Sequence, residues 1–177
     1  MAWHGEHNAL VALLEREHAR VLACLKDYAI GGVAHVLADA GHVLRALAAA
    51  ETQILFPAFT RVTLRHDLQR LLDDARGRRA EQLTALDRLR SKRAPALRKL
   101  AALQLADGIS EHGKELTHQL VPVLASQLPR PMYRSIVNAF ATSYRWELEP
   151  ARAAQGAPPA RAVTREARRH SKSVRAQ

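Results

Sequence analysis

The sequence predicts an all-α protein, an up-down-up-down four-helix bundle with a short fifth helix and a disordered C-terminal tail. Three observations carry that reading. Leucines recur at three- and four-residue spacing along most of the chain. Ala, Leu, Arg and Glu dominate, and all but Arg belong to the usual composition of long helices. Aromatic residues make up only 5% and β-branched residues are scattered, which is too little to build a sheet.

The elements follow in order. The first helix spans about residues 8–27, with Leu10, Leu14, His18, Val21, Leu22 and Leu25 on one face. Gly31-Gly32 supplies a turn. A second helix runs over about 34–56, its inner face reading Leu37, Ala40, Leu44, Leu47, Glu51 and Leu55, and Pro57 ends or kinks it. The third covers about 64–91 with a stripe of Leu68, Leu71, Leu72, Leu83, Leu86 and Leu89. The fourth starts near Pro95 and reaches about Gln127, with Leu105, Ile109, His112, Leu116, Leu120 and Val123 inward and a kink at Pro122. A short fifth helix covers about 132–148. Beyond Pro150 apolar periodicity is lost, so residues 1–150 read as the domain and 151–177 as a basic tail.

The formal net charge of +10 is unevenly placed. Residues 61–100 carry twelve Arg/Lys against five acids, and residues 151–177 carry seven against one. A solvated face and tail explain this, and so does a footprint for nucleic acid or an acidic protein partner, although no aromatic interleaves the basic residues. The single Cys24 excludes an intrachain disulfide. With no apolar leader-type segment and no run long enough to span a bilayer, the expectation is a cytoplasmic protein without a membrane partner. No nucleophile–base pair, Gly-rich phosphate loop or Cys-x-x-Cys is present, so nothing in the sequence supports an enzyme.

The chain also resembles itself at an offset of 64–65 residues. Glu17-His18 aligns with Glu81-Gln82, and Glu51…Leu55-x-Pro57 aligns with Leu116…Leu120-x-Pro122. Each unit would be one helical hairpin. Three polar residues interrupt apolar stripes: His18, Glu51 and His112. Imidazole and carboxylate on a core face are expensive unless paired or metal-bound, so the three together are candidate ligands of one interior metal site. The clusters Glu111/Glu115/His118 and His35/Asp39/His42 share outward faces and read as solvated.

These residues resemble the hemerythrin-like (HHE cation-binding) family. The first helix is similar to the family's in Glu17-His18 ahead of spaced leucines. The second is similar in Glu51 followed by Ile54-Leu55-Phe56-Pro57, and the fourth in His112 with Leu120-Val121-Pro122. The resemblance covers about residues 8–128. It implies a four-helix bundle with a non-haem iron site, and a role in iron handling or in sensing oxygen, nitric oxide or peroxide. Three positions depart from the pattern. Leu47 and Gln82 stand where histidines belong, and Leu116 stands where a glutamate belongs. The resemblance therefore implies a reduced or lost site: His18, Glu51 and His112 holding a single ion, iron or another divalent metal, with water or Gln82 completing its shell. The alternative is a metal-free helical binding module that uses helix 3 and the tail. Measured from the Gly31-Gly32 turn, His18 lies 13 residues back and Glu51 19 forward, which predicts a height difference of roughly 9 Å.

Overall fold

A computed structural model describes the backbone of residues 4–62, 66–92 and 94–156, and the side chains of 9–62, 66–92 and 94–149. Among the described residues every regular element is helical: α1 (His4–Gly31), α2 (Ala34–Ala50), α3 (Phe56–Phe59), α4 (His66–Ser91), α5 (Pro95–Glu115), α6 (Val121–Gln127) and α7 (Arg130–Gly156). Two π turns, Glu51–Leu55 and Leu116–Leu120, join α2 to α3 and α5 to α6.

Gly32 ends α1. Its φ of 64° is a left-handed value that a side chain would resist, and its N–H reaches back to the Tyr28 carbonyl at 2.8 Å. Helix α1 packs on α2 and α5, α4 packs on α5, and α7 packs on α2. The core is formed by the expected stripes, with Leu10, Leu14, Leu25, Leu44, Leu47, Leu72, Leu86, Leu89, Ile109 and Leu116 fully buried. Leu22, Leu68, Leu71, Leu83 and Val123 are half-buried edge positions. Inter-helix contacts run in opposite residue order. Arg45 meets Asp87 while Glu51 meets Arg79, and Gln82 meets Gly108 while Arg78 meets Glu115.

The prolines widen the helices rather than end them. Pro57 has no N–H for the Gln53 carbonyl, and its ring crowds that carbonyl. The helix responds by loosening just upstream, where the Phe56 N–H bonds to the Glu51 carbonyl five residues back. Pro122 has the same effect, with the Val121 N–H bonded to the Leu116 carbonyl. The two π turns are 65 residues apart, so the repeat legible in the sequence is also a repeat of backbone geometry.

The fifth helix differs from expectation. It is 27 residues long, and Tyr133, Phe140, Tyr144 and Leu148 bury its inner face. It also continues through Pro150 to Gly156, because the Ala- and Arg-rich segment that follows has high helix propensity and resumes the helix. Residues 157–177, the rest of the expected tail, lie outside the described residues.

Candidate metal centre

Helix α1, the π turn that follows α2, and helix α5 each turn one polar side chain into the same apolar interior. His18, Glu51 and His112 are 4%, 0% and 0% exposed, and their ligand-type atoms lie within 4.8 Å of one another. The three residues singled out from the sequence therefore meet, and such a cluster could hold a metal ion. Side-chain direction acts to reduce the roughly 9 Å height difference expected from residue spacing. A helical side chain leans toward its own N-terminus. His18 thus leans away from the Gly31-Gly32 turn and Glu51 leans toward it.

A fourth residue enters the cluster. Arg79 on α4 is 2% exposed, and its guanidinium grips the Glu51 carboxylate through two bonds, Nε to Oε2 at 2.7 Å and Nη2 to Oε1 at 2.5 Å. Nη2 also donates to His18 Nε2 at 3.2 Å, and Nη1 donates to Gln82 Oε1 at 2.7 Å. Gln82 in turn donates to the Gly108 carbonyl at 2.9 Å. It completes the guanidinium's surroundings rather than facing a metal.

The hydrogen bonds fix the state of both imidazoles. His18 Nδ1–H donates to the Leu14 carbonyl at 2.7 Å, so Nε2 carries the lone pair that accepts from Arg79. His112 Nε2–H donates to Glu51 Oε2 at 3.1 Å, and its Nδ1 is buried without a partner. Burial first, and then the Arg79 charge, lowers His18 to a pKa of about 4. His112 is lowered too, chiefly by burial. Burial pushes Glu51 upward, but Arg79 and His112 outweigh it and hold the carboxylate ionised, well below its usual range. The cluster is thus one carboxylate, one guanidinium and two neutral imidazoles.

The second hairpin repeats these positions with different chemistry. Leu116 starts its π turn as Glu51 starts the first, and both are fully buried. Leu47, 65 residues before His112, is equally buried. Both leucines fill apolar core at the positions that the repeat pairs with His112 and Glu51.

Arg79 is missing from the residues that the sequence pattern singles out, although its signal is there. The buried face of α4 is Leu72, Ala75, Arg79, Gln82, Leu86 and Leu89, a strict three-four alternation. An apolar stripe weighted toward Leu68, Leu71 and Leu83 hides it. Glu17 is a second buried group that the pattern does not flag. It accepts from Tyr144 Oη at 2.6 Å and from Arg16 Nε at 2.8 Å, tying α7 to α1. The outward clusters do not converge on a site. Glu111, His118 and His35 are exposed, and Glu115 pairs with Arg78.

Gly113 makes room for His18. A Cβ there would sit 3.2 Å from the imidazole Cγ, whereas one at Gly77 would meet nothing within 4 Å. Gly113→Ala is expected to lower the melting temperature, because crowding of about 1–3 kcal/mol outweighs the gain in helix propensity. Gly77→Ala should raise it. Parallel thermal melts check both, and a rise for Gly113→Ala would show that the His18 ring is not held against α5.

No family model, curated protein or solved structure matches the chain.

Proposed function

We propose that this chain is a hemerythrin-like four-helix bundle in which an internal arginine has taken the place of the metal, leaving a metal-free helical binding module. The resemblance of the Glu17-His18, Glu51…Pro57 and His112…Pro122 segments supports the family. The opposed residue order of the α2–α4 and α4–α5 contacts supports an up-down-up-down bundle. The observation that carries the reading is Arg79, bonded to both Glu51 oxygens and to His18 Nε2. These are the lone pairs a metal would need.

The non-haem iron site that the resemblance implies for the family does not fit these residues. Only three ligand-type side chains are present in the cluster, and a fixed positive charge stands among them. A divalent ion beside a buried guanidinium would leave the interior with uncompensated charge, at a cost of several kcal/mol. Redox or oxygen chemistry therefore has no support in this arrangement. The module reading is narrower than the sequence suggested, because much of the positive charge of α4, the third helix of the sequence reading, is already used. Arg79 is internal, Arg76 pairs with Asp73, and Arg78 pairs with Glu115.

One arrangement favours a second reading, a single ion that displaces the arginine. A cleft of about 360 Å³ beside Arg79, walled by Phe56, Ala80 and Leu83, could receive the guanidinium. Metal content decides between the two. Protein from iron-rich and zinc-rich cultures is expected to carry far less than one ion per chain. Arg79→Ala, with three donors freed and a space between them, is expected to gain one divalent ion. An ion bound stoichiometrically by the parent chain would overturn the metal-free reading.

A further inference from the structure

Among the described residues seven large hydrophobic side chains are exposed, and five of them belong to one end of the molecule. Ile30 (85% exposed) and Val33 flank the α1–α2 turn, while Leu97, Leu100 and Leu103 lie on the first turns of α5. The two groups are neighbours, since the Arg98 guanidinium lies 3.7 Å from where a Cβ on Gly32 would be. Clustered exposed apolar residues on a folded chain mark a contact surface.

The charge around this tip is predominantly positive. Among the described residues of 85–100 are Arg88, Arg90, Lys92, Arg98 and Lys99 against Asp87 alone, and Asp87 pairs with Arg45 at 2.7 Å. Lys26 and Asp27, both exposed, stand one turn before Ile30. Exposed aliphatic side chains at helix ends beside a surplus of basic residues match a flat, deformable, anionic surface. Nucleic acid would leave the aliphatic residues unused, and a partner helix would ask for a groove rather than a tip.

We infer that this end of the protein docks peripherally on an anionic lipid membrane, with Ile30, Val33, Leu97 and Leu100 entering the headgroup region and the surrounding Lys and Arg meeting lipid phosphates and carboxylates. This goes beyond the proposed function and does not depend on the state of the buried cluster. It concerns contact with a surface, not a span, and no described helix is long and apolar enough to cross a bilayer. The sequence-level expectation of no membrane partner rests on the absence of a span and does not weigh this tip.

The test is sedimentation of the full chain with vesicles of phosphatidylcholine alone and with about 30% phosphatidylserine. Binding is expected only to the anionic vesicles, and it should weaken with salt. Arg98→Glu/Lys99→Glu should lower affinity at least 20-fold, at about fivefold per lost cation. Ile30→Asp/Leu97→Asp, which keeps every basic residue and the whole tail, should also lose binding. Leu97→Trp should show a blue-shifted emission with anionic vesicles alone. All these positions are at or near the surface, and unchanged melting curves confirm that the variants fold. Parent-like binding by Ile30→Asp/Leu97→Asp would show that the apolar tip does not enter the lipid and would overturn the proposal. So would no binding at low salt, or displacement from vesicles by stoichiometric duplex DNA.

Discussion

The Glu51→Gln variant is expected to melt about 6–20 °C below the parent chain. Glutamine keeps the size of the carboxylate but removes its charge, leaving Arg79 buried at 2% exposure with no anion beside it. Breaking a buried pair from one side costs about 3–5 kcal/mol, and each kcal/mol shifts the midpoint of a chain this size by about 2–4 °C. The complementary Arg79→Met variant should be destabilised on the same scale, because it strands the Glu51 carboxylate instead. The double variant Glu51→Gln/Arg79→Met is the informative one. With both charges gone it should recover most of the loss, since a buried ion pair replaced by well-packed neutral side chains is often no less stable. Thermal melts of the four proteins form a double-mutant cycle. Additive losses, or a Glu51→Gln melt within about 2 °C of the parent, would mean that the guanidinium and carboxylate do not depend on each other.

Acidification is expected to remove about 3 kcal/mol of stability between pH 7 and pH 4 through His18 alone. The sign follows from where the proton binds. In the unfolded chain His18 titrates near 6.5, whereas in the folded protein it resists protonation down to about 4. Between those values the unfolded state holds more protons, so stability falls as pH falls. His112, also lowered, acts in the same direction. Below the ordinary carboxylate range Glu51 adds a further loss, because its ionised form is held by Arg79 and must be protonated as the chain opens. Urea unfolding across this pH range measures the slope. His18→Gln, which has no proton to gain, should flatten the part between pH 6.5 and 4. A parent chain equally stable at pH 7 and pH 4.5 would rule out a neutral, buried His18.

The helices are legible in the sequence because their information is local. Leucine spacing, the Gly31-Gly32 turn and the prolines mark α1, α2, α4 and α5 within a few residues. The same helical phase puts His18, Glu51 and His112 on inner faces, where the fold buries them. Pro57 and Pro122 read as kinks, and their effect, a widened turn rather than a break, depends on packing that keeps each helix going on both sides. For the fifth helix, Tyr133, Phe140, Tyr144 and Leu148 stand at helical spacing, but their burial depends on the face that α2 presents to them.

By itself the sequence determined an all-helical chain, the faces that pack, and three polar residues that converge on one interior. Only the tertiary structure decided what they converge on. Helical phase puts Arg79 on the core face of α4, yet an arginine at such a position can extend to solvent or fold inward. It folds inward here because Glu51, 28 residues earlier in the chain, offers a desolvated carboxylate to meet it. That choice depends on the relative height and tilt of two helices, which residue spacing along either one does not encode.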